Sequence, residues 1–247
     1  MTTLSTLGPD ANVAVIGASG GIGSAFVRAL VEDDAVNTVY ALSSSEIECE
    51  NPALIKYRLD LMDEISISVA ADDIAANGTL DLVIIATGIL HDEDLQPEKS
   101  LGDIDDGHMQ YVFKINSIGP ALVAKYFLPI MSREKKTVFA VLSARVGSID
   151  DNRRGGWVSY RASKAALNMT IKTLSIEHAR RFPNGVMVSL HPGTVETHLS
   201  EPFRRNVPPE QLFSPETSAD HLLQVIQNVT PADSGGFFAW DGSRISY

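Results

Sequence analysis

The chain has a single cysteine, Cys49, so no disulfide can form within it. It lacks any apolar run of the ~18 residues that a membrane span needs. Residues Met1 to Asn12 carry neither a basic segment nor an apolar stretch of signal-peptide type, and the expected location is cytoplasmic. Positive charge is also scarce: 20 Lys and Arg stand against 31 Asp and Glu, a net charge of −11. An acidic surface repels phosphate backbones and anionic lipid, so neither nucleic acid nor a membrane is an expected partner. An anionic cofactor remains compatible, because backbone amides hold phosphates whatever the net charge. The six histidines form no H-x-x-x-H or H-E-x-x-H pair, and no metal site is expected.

What is present is an alternation. Short apolar runs at Asn12–Ile16, Thr38–Leu42, Lys56–Leu59, Leu80–Ala86, Thr137–Leu142, Val186–His191 and Phe237–Ala239 read as strands. They are nearly all apolar, as strands covered on both faces are. Helical patterns at Ile22–Glu32, Ile65–Asn77, His108–Ser132, Tyr160–Phe182 and Ser218–Asn228 lie between them. This order predicts an α/β chain: a doubly wound parallel sheet of about seven strands with helices on both faces, a Rossmann-type fold. No repeat or linker divides it, and residues 1–247 are expected to form one domain. Two stretches read as irregular. His91–Gly107 is acidic, and His198–Phe213 carries Pro202, Pro208 and Pro209 with Arg204 and Arg205. The second follows the sixth strand, at the edge where ligands of open sheets bind, and is expected to act as a lid over a substrate.

Between the first strand and its helix lies Gly17-Ala18-Ser19-Gly20-Gly21-Ile22-Gly23. Glycines allow a tight turn and close approach of a pyrophosphate, which the following helix N-terminus attracts. The same residues spell G-x-S-x-G, the turn that exposes a hydrolase serine. Local sequence leaves both readings open. Position favours the dinucleotide turn, which opens a first βαβ unit, whereas a hydrolase elbow needs several strands before it.

Tyr160 and Lys164 stand four residues apart at the start of a helical pattern, and so share one face. A nearby ammonium is expected to lower a phenol's pKa, which suits it to exchange a proton with a carbonyl or alcohol oxygen. Ser143 ends the fifth strand, where its hydroxyl can hold that oxygen. Each feature alone arises by chance; the three together point to one site.

With these residues the chain resembles the short-chain dehydrogenase/reductase family over essentially its whole length, and within it the C-factor and sniffer-type carbonyl reductases. The resemblance implies a cofactor loop at Gly17, Ser19, Gly21, Ile22 and Gly23, an adenine-contacting pair at Asp60 and Leu61, and a further contact at Ala86-Thr87-Gly88. It implies that Pro192, Gly193, Val195 and Thr197 approach the nicotinamide. It also implies a catalytic set of Asn116, Ser143, Tyr160 and Lys164, of which Asn116, Tyr160 and Lys164 also touch the cofactor or its relay water. Tyr160 would be the general acid/base, Lys164 its modulator, Ser143 the substrate anchor and Asn116 the holder of a water. Ala86-Thr87 stands where the family usually has Asn-Ala, which removes an amide from the central sheet.

The end of the second strand lacks the acid that selects a ribose 2′-hydroxyl. It reads Leu42-Ser43-Ser44-Ser45, with no arginine among them, and Ser43 is the expected contact. This favours NADP(H) over NAD(H). The expected function is hydride transfer between a nicotinamide and a small carbonyl or alcohol substrate. The alternative is a dinucleotide-binding signalling or scaffold protein of C-factor type that does not turn over. Ala162, Ala165 and Ala166 put small residues on the helix of Tyr160, and a homodimer or homotetramer is expected.

Overall fold

A computed structural model describes residues 4–206, 208 and 211–247. Its centre is a seven-stranded sheet in which every pairing is parallel. The chain runs β1 (Ala11–Ile16), α1 (Gly21–Val31), β2 (Val36–Ser43), β3 (Leu54–Arg58), α2 (Glu64–Ala75) and β4 (Leu82–Ile85). It continues through α3 (Asp106–Phe113), α4 (Gly119–Phe127), β5 (Thr137–Leu142), α5 (Val158–His178) and β6 (Gly185–His191). It ends with the short β7 (Thr194–Val195) and β8 (Leu212–Phe213), then α6 (Pro215–Asn228) and β9 (Gly236–Ala239). The sheet order is β3-β2-β1-β4-β5-β6-β9. The order reverses between β1 and β4, and such a switch point opens a crevice at the carboxyl ends of the strands.

Strand side chains alternate between two apolar layers. Val13 and Val15 join Phe26 and Leu30 of α1 and Leu222 and Ile226 of α6. Ala14 and Ile16 join Ile67 and Ile74 of α2, Val123 and Phe127 of α4, and Leu167 and Ile171 of α5. Both faces are therefore covered, which is why the strands carry no polar alternation. No helix among the described residues is long and apolar enough to cross a membrane.

All seven expected strands form, with edges moved by a few residues. The helical pattern His108–Ser132 does not form one helix. It breaks into α3, a π-turn at Lys114–Ile118, α4, and a 3-10 turn at Leu128–Ile130. Pro120 is the cause: it has no N–H to give the carbonyl of Asn116, and its ring would crowd that carbonyl. A wider turn relieves the conflict, with the Gly119 N–H reaching back to the Lys114 carbonyl.

Two parts of the expected lid take regular structure. His198–Asn206 forms 3-10 turns, and β8 pairs with β7. Arg204 pairs with Glu196 at 2.9 Å, and the Phe213 ring packs edge-on against Trp240. Val207, Pro209 and Glu210, within that expected lid, lie outside the described residues.

Candidate active site

The β1–α1 turn is shaped by glycine where no side chain fits. Gly17 has φ +85°, and a Cβ there would sit 2.8 Å from Thr87 Cγ2. A Cβ on Gly23 would lie 2.0 Å from the Gly17 carbonyl oxygen. The Gly17 and Ala18 N–H groups both donate to the Leu42 carbonyl, at 2.8 and 3.1 Å, which pins the turn to the end of β2. The first intrahelical donor of α1 is Ser24, to Gly20. The N–H groups of Gly21, Ile22 and Gly23 thus have no carbonyl one turn behind them, and they stand at the positive end of the helix. Thr197 crosses this opening, since a Cβ on Gly21 would strike its methyl at 2.7 Å. The glycine turn and the Pro192–Thr197 segment therefore form one surface. Ser19 and Ser43 join hydroxyls across it at 2.7 Å.

The second half of the site lies past β4 and β5. The π-turn aims Asn116 at the loop that leaves β4. Its Oδ1 accepts from Ile89 N–H at 2.8 Å, and its Nδ2 donates to the Ile89 carbonyl at 2.9 Å and to Ser163 Oγ at 3.1 Å. Ser117 Oγ donates to the Ser163 carbonyl at 2.6 Å. Ser163 Oγ in turn donates to the Tyr160 carbonyl at 2.9 Å. This chain of bonds fastens the first turns of α5, which carry Tyr160 and Lys164. Lys164 Nζ donates to the Leu142 carbonyl at 2.8 Å. The next residue, Ser143, is bonded through its N–H to Leu190, yet its buried hydroxyl has no partner among the described residues. A Cβ on Gly88 would lie 3.3 Å from Lys164 Nζ and 3.5 Å from Asn116 Oδ1. The structure thus gathers Gly88, Asn116, Ser143 and Lys164 at one edge, with Tyr160 one helical turn away.

Electrostatics depart from the expected lowering of the phenol pKa. Burial pushes Tyr160 well above its ordinary value and Lys164 down to about 7. Both groups lose water, and the ammonium is spent on the Leu142 carbonyl. An amine near neutrality is only partly charged, so it offers the phenol less than a full cation. Beside Ser143, His191 is pushed down to about 4, first by burial and then by the Arg145 charge, and its imidazole is neutral at pH 7.

The remaining expected contacts fall on the same carboxyl edge, with differences. Ser43 closes β2. Asp60 is half-buried, and its Oδ1 accepts from Met62 N–H at 2.9 Å. Leu61 turns into the apolar layer of α2 and α4 at 7% exposure, so only its main chain faces the edge. Ala86 and Thr87 pack beneath Gly17, and Thr87 Oγ1 is buried without a partner among the described residues. Gly193 takes φ +80° against the Phe213 ring. Val195 is buried within β7.

One positioning residue escaped the sequence reading. Glu98, 5% exposed, caps the start of α5: its carboxylate accepts the Ser159 N–H at 3.2 and 3.3 Å, and also the Ser159 hydroxyl. Its carbonyl accepts the N–H of Trp157 at 2.6 Å, and Trp157 is held in the left-handed region at φ +53°. An acid within an acidic loop gives no signal until the chain is folded. Glu98→Ala strands the Ser159 donors and is expected to cost about 1–3 kcal/mol by denaturant unfolding. Unfolding within error of wild type would show that Glu98 does not fasten this helix.

The donor set fits a dinucleotide: N–H groups at a helix N-terminus with no carbonyl one turn behind them, a cradle that any side chain would fill, and at its far end the buried Ser143 hydroxyl, without a partner among the described residues. Comparison with known proteins agrees. The pattern of the short chain dehydrogenase family matches residues 11–208. The C-signal of Myxococcus xanthus is 35% identical over 149 residues, covering 60% of this chain and 84% of that protein. The NADPH-bound carbonyl reductase from chicken fatty liver superposes with a TM-score of 0.84 at 26% identity, covering 97% of this chain and 95% of that one. The carbonyl reductase Sniffer of D. melanogaster shares the fold, with a TM-score of 0.81 at 20% identity over 97% of this chain and all of the other. The chain therefore belongs to the short-chain dehydrogenase/reductase family of oxidoreductases.

Proposed function

We propose that the protein is a carbonyl reductase or alcohol dehydrogenase that works with a nicotinamide dinucleotide and prefers NADP(H). The observation that carries this reading is the buried hydroxyl of Ser143, which has no partner among the described residues and lies one residue past the carbonyl that Lys164 holds. A buried hydroxyl left unpaired is costly, and a substrate oxygen would satisfy it.

The nicotinamide, when bound, supplies or accepts the hydride. The chain does the rest. The N–H groups of Gly21, Ile22 and Gly23 hold the pyrophosphate. The Pro192–Thr197 segment, in contact with Gly21, faces the nicotinamide. Ser143 Oγ donates a hydrogen bond to the substrate carbonyl oxygen, and Tyr160 Oη gives that oxygen its proton. Lys164, close to neutrality, passes a proton on to the phenol. The amide of Asn116 is spent on Ile89 and Ser163, so its main-chain carbonyl is the group for a relay water. In the oxidative direction each proton moves the other way.

The whole chain is taken as one domain, with the 198–213 segment covering the substrate. His91 Nε2, within reach of the His198 and Leu199 carbonyls at 3.1 and 3.2 Å, tethers one end of that cover. Ala162, Ala165 and Ala166 are half-exposed on α5, and Met169 and Ile176 are exposed. This apolar stripe is the proposed contact with a second copy.

The likeness to the C-signal supports a second reading, a dinucleotide-binding protein without turnover. Oxidation of NADPH over a panel of aldehydes, ketones and quinones separates the two. Turnover of at least one class is expected. Tight NADPH binding with no turnover on the panel would favour the second reading.

A further inference from the structure

The first seven residues past β2 contain no basic side chain, yet the fold brings one to the end of β2. Ser43, the last residue of β2, is in register with Arg58, the last residue of β3. Residues in register on neighbouring parallel strands put their side chains on the same face. Which face is fixed by their neighbours. Val39 and Ala41 lie in the apolar layer beneath α1, and Leu54, the partner of Val39, packs against that layer. Leu42 and its partner Tyr57 belong to the opposite layer. Ser43 and Arg58 therefore both stand on the α1 face, at the carboxyl edge, about 4.8 Å apart in the sheet.

Ser43 already marks what that face looks onto. Its hydroxyl is 2.7 Å from that of Ser19, inside the glycine turn. Ser44 and Ser45 are exposed next to it. Arg58 is exposed, and among the described residues it enters no ion pair. The other cation on this face of β3, Lys56, lies two residues further from the edge and is held by Glu50. Asp60, the nearest acid along the chain, turns its Oδ1 to the Met62 N–H. In a chain with net charge −11, this arginine stands at the carboxyl edge with no carboxylate partner among the described residues.

We propose that Arg58 holds the 2′-phosphate of NADP(H) and sets the preference for it over NAD(H), with the Ser43–Ser45 hydroxyls as further donors. A guanidinium fork matches a phosphate in charge and in geometry. It gains no ion pair from a free 2′-hydroxyl, so its effect falls on one cofactor only. This rests on the reading of the Gly17–Gly23 turn as a dinucleotide site, and the test keeps the two apart.

Dissociation constants of the full chain, wild type and Arg58→Gln, are measured by calorimetry for NADPH, NADH, 2′,5′-ADP and 5′-AMP. Arg58→Gln is expected to weaken NADPH and 2′,5′-ADP by ~10-fold or more, the loss of a charge-assisted pair. NADH and 5′-AMP are expected to change by less than about threefold, since neither carries the phosphate. A wild type that prefers NADPH, with the variant unchanged toward it, overturns the role of Arg58 and leaves the dinucleotide site standing. A wild type that binds NADH more tightly overturns the preference and the role together. A wild type that binds neither cofactor overturns the site itself.

Discussion

Tyr160→Phe is expected to abolish nearly all turnover while the protein still binds NADPH. The substitution removes one oxygen and keeps the ring. Tyr160 is 8% exposed, and its ring meets Trp157 edge-on at 6.4 Å, a contact that phenylalanine preserves. The backbone around it is held by Ser163 and Asn116, which the change does not touch. What disappears is the proposed proton donor to the substrate oxygen. General acid catalysis typically contributes 10²–10⁴, so kcat is expected to fall by ~10²–10⁴-fold. NADPH affinity should stay within a few-fold of wild type. A variant that turns over within tenfold of wild type would place the proton transfer on another group. The same loss with abolished NADPH binding would mean that the phenol holds the cofactor and need not serve as the acid.

Lys164→Met is expected to split stability from activity. The unfolded chain carries this side chain as a cation up to its ordinary value of 10.5, whereas the folded protein releases the proton at about 7. Between pH 7 and pH 10 the unfolded state therefore binds more protons, and this residue makes folding more favourable as pH rises through that window. Below pH 7 both states hold the proton, so the folded protein carries a buried cation at a cost that no longer changes with pH. Methionine fills a similar volume with no charge to desolvate. The variant, free of dinucleotide, is expected to melt several degrees higher than wild type at pH 7, and the gap should narrow toward pH 10. Part of the gain is offset, because the Leu142 carbonyl loses its donor. Turnover should fall by ~10²-fold or more, since the phenol loses its proposed proton partner. A variant that melts lower than wild type at pH 7 would show that the Leu142 bond outweighs the buried charge. Such an opposition, in which a site residue weakens the fold it sits in, is the usual trade between stability and activity.

Most of the fold was legible because its signals are local. Glycines at Gly17, Gly21 and Gly23 between an apolar run and a helical pattern announce a strand, a turn and a helix wherever the chain goes afterwards. The near-continuous apolar character of Thr137–Leu142 and Val186–His191 announces strands covered on both sides. The spacing of Tyr160 and Lys164 places them on one helix face by geometry alone. The failures were where two local preferences compete. His108–Ser132 has helical patterning throughout, and only Pro120 betrays the π-turn that directs Asn116 toward Ile89 and Ser163.

Other features depend on residues far apart in the chain. Glu98 caps a helix that begins sixty residues later, and nothing near it in sequence marks an acid for burial. The expected lowering of the Tyr160 pKa followed from spacing, but the direction was set by desolvation, which exists only once the layers close around both groups. Arg58 offers the same lesson. Along the chain it is fifteen positions from Ser43, with no motif linking the two, whereas in the sheet they are adjacent. The order of strands and helices, the glycine turn, and the placing of Tyr160 and Lys164 on one helix face were legible in the chain alone, because these rest on backbone sterics and on contacts within a helical turn. Which of those groups are buried, what each one faces, and that Arg58 lies beside Ser43 in the sheet depend on the folded chain, because burial and parallel pairing are made by segments brought together from a distance.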